Sequence, residues 1–256
     1  LLACLLAAPA LKAGLVGDDY FHRMILLHRG ELSPFLRPVT DLFTFVKQGD
    51  GAAVMRGLGY LPWWSDPALH ISLFRPIAAL THMLDYTLWP DNFVWQHFHS
   101  LGWFFAGVLL VAYLYRTVPG MSMAAAGLAG LLFAVEDAHA FPAGWLANRN
   151  ALLCLVSGAT TLTFHIRWRL TGRRHWLVLA LLVFAAGLFC GEATIGILGY
   201  LAAWHLTMEQ SRPRFRSLAV VSYYVVVVCL WRLLYETLGY GTSGSLLYVD
   251  PGQKPF

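Results

Sequence analysis

Charge is the scarcest commodity in this sequence. Only 12% of its 256 residues are Asp, Glu, Lys or Arg, roughly half the share of a typical soluble domain, while 58% are hydrophobic and the mean hydropathy is +0.58. Those figures predict an integral membrane protein. Cysteine is scarce as well: Cys4, Cys154, Cys190 and Cys229 all fall in apolar segments, without the spacing of a disulfide framework or a metal site. No initiator methionine is present, since the chain opens at Leu1 inside the run LLACLLAAPALKAGLV and closes on the polar SLLYVDPGQKPF. The expectation is the N-terminal part of a larger protein, its opening run a first span rather than a signal peptide because further apolar segments follow.

Charge-free stretches locate the remaining spans, each needing about 20 apolar residues to cross a core of roughly 30 Å. They predict an all-α polytopic membrane protein of about seven transmembrane helices, near 1–14, 97–115, 119–136, 145–165, 175–191, 193–208 and 217–235. Together these make a transmembrane module over 1–240, followed by an external tail over 241–256. A long first external loop, 15–96, carries juxtamembrane helices: Leu36, Val39, Leu42, Phe43 and Val46 recur at helical spacing, and residues 71–89 form a second apolar segment interrupted by Arg75-Pro76 and Asp85. Arg116, the group Arg167, Arg169, Arg173 and Arg174, and the group Arg212, Arg214 and Arg216 fall in connections on one side, which the positive-inside rule makes cytoplasmic.

That orientation gathers the polar candidates on the opposite side. They are Asp18 and Asp19 directly after the first apolar run, then Arg75, His97, Glu136, Asp137, His139, Asn148, Arg149 and Glu192. Ionisable groups at membrane depth need a partner or an aqueous cavity, so the cluster reads as an outward-facing site where arginines hold a phosphate and a carboxylate acts as base. Plainer readings stand beside it. Asp18 and Asp19 can simply cap a following helix through Tyr20 to Leu27, the lesser reading of the pair, and Arg232 with Glu236 needs nothing beyond an i,i+4 pair.

Asp18-Asp19-Tyr20, Phe74-Arg75-Pro76-Ile77, the stretch LLFAVEDAHAFPAGWLANRNALLCLVSG at 131–158, and Gly191-Glu192 together resemble the membrane-embedded C-type glycosyltransferases. The likeness is to the branch of protein O-mannosyltransferases and transmembrane, tetratricopeptide-repeat mannosyltransferases. Two positions depart from that pattern: Glu136-Asp137-Ala138-His139 replaces the usual histidine-proline turn, and Gly191 stands where a basic residue is common. The resemblance implies an inverting transferase with a polyprenyl-phosphate sugar as donor and a protein, glycan or lipid acceptor. It needs neither cofactor nor metal and has no nucleic-acid partner. It would work in a bacterial inner membrane or the endoplasmic reticulum membrane, with its site facing periplasm or lumen. Asp18 or Asp19 would be the base, Arg75 and Arg149 would engage the phosphate, and Glu192 or Glu136 would position the sugar. The alternatives are a lipid-linked glycan or polyisoprenoid transporter, which predicts polar residues spread through the depth of the spans, and an inactive membrane scaffold of the same fold.

Overall fold

A computed structural model describes residues 2–27, 37–209, 219–245 and 248. The chain begins with α1 (Leu2–Ala7) and a 3-10 stretch, then α2 (Asp18–Leu26). Strand β1 (Thr44–Val46), the short α3 (Gly51–Gly57) and strand β2 (His70–Ser72) follow. The helical part comprises α4 (Pro76–Leu88), α5 (Phe93–Thr117), α6 (Met123–Val135), α7 (Ala140–Gly144), α8 (Arg149–Thr171), α9 (Arg174–Leu188), α10 (Ile197–Thr207) and α11 (Ser222–Thr237). Strand β3 (Gly241–Ser243) comes last.

Local chemistry sets these boundaries. Pro76 opens α4 at a position where its missing N–H costs nothing. The side chains of Asn92 and Ser122 accept backbone N–H groups of the first turns of α5 and α6. Gly172, at φ +69°, ends α8 in the left-handed conformation and turns the chain into α9. The pair α8–α9 then packs closely: a methyl group at Gly187 would lie 2.5 Å from Ser157 Oγ and 2.8 Å from Thr194 Cγ2.

The strands form one antiparallel sheet in the order β1-β2-β3, with Thr44 opposite Ser72 and His70 opposite Ser243. Beneath it lies a core of Phe21, Ile25, Leu42, Phe43, Leu73 and Ala78. A second core joins α9, α10 and α11 through Phe184, Leu188, Leu201 and Trp231. The third sits between α5 and α8 around Leu101, Phe104 and Leu152.

Several expectations are corrected here. Instead of about seven spans, two stretches among the described residues, Phe93–Thr117 and Ala219–Thr237, are long and apolar enough to cross a membrane. There are three if Met123–Val135 and Asp137–Gly144, bent by 50°, count as one. The others fall short by length or composition. At about 1.5 Å per residue, helices the size of α6 or α10 reach about 20 Å or less, short of a roughly 30 Å core. Although 23 residues long, α8 begins with Arg149 and also holds His165, Arg167 and Arg169. The all-α expectation holds for the body of the fold, to which residues 44–46, 70–72 and 241–243 add one small three-stranded sheet. In place of a surface helix around Val39–Val46 there is a 3-10 turn followed by β1, with Leu42, Phe43 and Val46 buried in the core. Leu36, Arg212, Arg214, Arg216, the start of the 217–235 span and most of the 241–256 tail lie outside the described residues.

Candidate functional site

Asp18 and Asp19 are the first two residues of α2, behind Gly17 at φ +54°. Neither accepts a hydrogen bond in the manner of a helix cap. Asp19 is buried, and its two oxygens bridge separate parts of the chain: Oδ2 accepts the Val16 N–H at 2.9 Å and Oδ1 accepts the Ala147 N–H at 2.6 Å. The indole of Trp145 reinforces this tie by donating to the Val16 carbonyl at 3.0 Å. Burial pushes the Asp19 carboxyl up to about 6, against the opposing effect of the two backbone N–H groups. Asp18 is half-buried, and desolvation raises its value as well. Among the described residues its carboxylate has no hydrogen-bond or ionic partner, so the desolvation goes uncompensated.

Arg75 reaches the same place from the turn ahead of α4. Its Nε and Nη2 both lie 2.8 Å from Glu192 Oε2, and its guanidinium stands 5.4 Å from the Phe43 ring centre. Tyr235 donates to the other oxygen of Glu192 at 3.4 Å. Position 191 is glycine for a steric reason: a Cβ there would meet Cys154 Sγ at 3.0 Å and Asn150 Nδ2 at 3.3 Å. A basic side chain has no room.

Between these groups opens a pocket of about 60 Å³, lined by Asp18, Phe45, Arg75, Trp145, Asn148 and Asn150, with Phe43 and Tyr248 beside them. The turn at Leu146–Asn148 and the first residues of α8 present the two asparagines, and the Asp19 bridge holds that turn against α2. The pocket therefore joins Asp18, Arg75 and Asn148 of the sequence candidates, with Asp19 and Glu192 directly behind them.

The other candidates lie elsewhere. Arg149 is fully buried and saturated: it pairs with Asp85, donates to Ser100 Oγ at 2.9 Å, and donates to the carbonyls of Gln96 at 3.0 Å and Thr81 at 3.3 Å. Asp85 in turn accepts from His99 Nδ1 at 2.6 Å, and the Trp103 indole donates to His99 Nε2 at 2.9 Å. Since an indole N–H can only donate, this network assigns the proton to His99 Nδ1 and a neutral ring. His97 is buried with Nε2 2.8 Å from the Gly14 carbonyl. Glu136 and Asp137 are exposed on the turn after α6, and His139 packs against Phe133 and Phe104.

No protein-family model matches this chain, and no curated protein or solved structure matches it either. The span count overturns the resemblance to polyprenyl-phosphate-dependent transferases, together with the sugar-transfer reading, its lipid donor, its acceptors and its placement as a many-span membrane enzyme. Two or three candidate spans do not make the seven-span module. The transporter and scaffold alternatives rested on the same architecture and fall with it. Among the described residues no group of three or more His, Cys, Asp or Glu side chains is disposed to hold a metal ion.

Sequence reasoning passed over Asn150, Phe43 and Phe45 as site residues, and passed over the buried pair His22 and His82. Those two imidazole rings lie 5.2 Å apart, and among the described residues both nitrogens of His22 and Nε2 of His82 lack a hydrogen-bond partner. Burial drives His22 down to about 3 and His82 well below its usual value, with the positive field of Arg149 adding to both. A signal for His82 existed: Ala78, His82, Asp85 and Tyr86 share one helical face with the apolar residues that bury it.

Proposed function

We infer that the chain is a binding module for a small molecule carrying a primary ammonium group, which seats in the pocket beside Asp18. The observation that supports this reading is the Asp18 carboxylate, half-buried yet unpaired among the described residues. Arg75 does not compensate it, because Glu192 already takes that guanidinium through two nitrogens. The charge left over in the pocket is negative.

The remaining lining suits an ammonium. Such a group offers three donors, and the pocket is lined by the Asp18 carboxylate and by Asn148 and Asn150, whose carboxamides have acceptor oxygens. The rings of Trp145 and Phe45 supply aromatic surface for a cation. About 60 Å³ amounts to roughly two water volumes, enough for a head group, with the rest of the ligand outside. An ammonium would restore the favourable environment that burial removes from Asp18, so affinity rises with pH as that carboxyl ionises.

Calorimetric titration with ethylammonium and with the bulkier tetramethylammonium tests this. Ethylammonium is expected to bind more tightly, and Asp18→Asn to weaken it by about tenfold or more, the scale of one charge-assisted hydrogen bond. Unchanged affinity in a folded Asp18→Asn variant sinks the reading.

A further inference from the structure

A separate cavity of about 290 Å³ lies over the three-stranded sheet. Thr44, His70 and Ser72 form its floor, because alternate residues of a strand share one face. Lys47 and Gln48 rise from the end of β1, and Leu238 to Tyr240 close the far side after α11. Gly241 pairs with Ser72 and adds no side chain to the floor, which leaves the space open.

The floor is anchored but its imidazole is not. Thr44 Oγ1 and Ser72 Oγ lie 2.7 Å apart and satisfy each other. His70 is 6% exposed, lines the cavity, and has no hydrogen-bond partner among the described residues. Its ring nitrogens are not sealed from solvent, and the open space beside the ring is this cavity. A polar ring this deeply buried and facing an open space lacks the partner that buried polar groups ordinarily have.

The charges around it favour an anion. Asp41 also lines the cavity; its Oδ1 accepts the Tyr240 O–H at 2.6 Å, and the Arg37 guanidinium, which donates to the Thr44 carbonyl, interacts with its charge. Lys47 is exposed at the rim and makes no ion pair among the described residues. One free cation, an imidazole N–H and the Gln48 amide therefore converge on the same space.

We propose that this cavity is a binding site for a small molecule bearing an oxyanion, a phosphoryl or carboxylate group, with Lys47 as its counter-charge and His70 as its buried hydrogen-bond donor. The volume admits a metabolite rather than a bare ion.

Sulfate and acetate are suitable probes, one tetrahedral and one planar, titrated into the full chain by calorimetry with the His70 imidazole resonances followed by NMR. Saturable binding of either probe is expected, with His70 resonances shifting in step and Lys47→Gln weakening affinity by about tenfold or more. His70→Phe should weaken it as well, whereas Lys12→Gln, which removes a distant exposed lysine, should leave it within about twofold. Preference for sulfate identifies a phosphoryl ligand, and preference for acetate a carboxylate. Binding of neither probe, equal affinity in wild type and Lys47→Gln, or equal loss in Lys12→Gln overturns the proposal. Because Lys47 is exposed at a strand end, its variant tests the site even if His70→Phe does not fold.

Discussion

Asp19 and His22 lie one turn apart on α2 and respond to pH in opposite senses. Asp19 titrates near 6 in the folded chain against its usual 3.8, so its contribution to stability is full below about pH 4 and is lost as pH rises through 6. His22 titrates near 3 against its usual 6.5, so its contribution is present above about pH 6.5 and is lost as pH falls toward 3. The Asp19 shift is worth about 3 kcal/mol and the full His22 shift about 5 kcal/mol, of which roughly 3 kcal/mol falls between pH 7 and pH 4, so the two largely cancel over that range. The prediction concerns variants. Asp19→Asn should steepen the loss of stability on acidification by roughly 3 kcal/mol, and His22→Phe should flatten it by a similar amount. Unfolding curves at several pH values would show this, and parallel profiles for wild type and both variants would refute it. The individual residues were partly legible. Asp18 stood out because two carboxylates follow an apolar run, and Arg149 because a buried charge needs a partner. Asp85 was visible as an interruption of an apolar segment, but its pairing with Arg149, 64 residues away, was not, since nothing local to either residue names the other.

Among the elements, the packing of α8 against α9 and the 3-10 turn before α10 leaves no space at Gly187. Replacing it with alanine would ordinarily gain up to about 1 kcal/mol of helix propensity, but the methyl group meets Ser157 and Thr194 well inside contact distance. Overpacking of this kind costs about 1–3 kcal/mol. Gly187→Ala should therefore destabilise, while Gly102→Ala, in the middle of α5 with nothing within 4 Å, should stabilise by about 0.5–1 kcal/mol. Thermal melts of the two variants that shift in the same direction would show that close packing does not decide the sign. Much of the helical content could be read from apolar stretches bounded by Asn92, Ser122 and Gly172. The error came where periodicity was ambiguous. Val39, Leu42, Phe43 and Val46 fit helical spacing, yet Thr44-Phe45-Val46 is a β-branched and aromatic triplet that pairs with β2. Residues 193–196, expected to open a span, belong instead to the 3-10 turn Glu192–Gly196.

At the scale of the whole molecule, the sheet joins parts of the chain that lie far apart in sequence. Removing everything after Leu238 would delete β3, the Tyr240 hydrogen bond to Asp41, and the Ser243 hydrogen bond to the Ala68 carbonyl at 2.9 Å. That truncation should lower the melting temperature and abolish sulfate binding. Undiminished sulfate affinity in the truncated chain would show that the wall at Leu238–Tyr240 is dispensable. Long-range closure of this sort could not be read from the sequence, because Gly241-Thr242-Ser243 carries no apolar alternation to mark it as a strand.

The same sheet fixes an order of events in synthesis. β1 and β2 form a local pair, but β2 receives β3 only after roughly 170 intervening residues have been made and collapsed, His70 standing opposite Ser243. Loop closure over that distance is slow compared with helix formation, so the helices can assemble while β2 still presents an unpaired edge. A nascent chain is thus complete in its helical core before its anion cavity exists, and the exposed edge is where a stalled ribosome product would be most open to pairing with another chain.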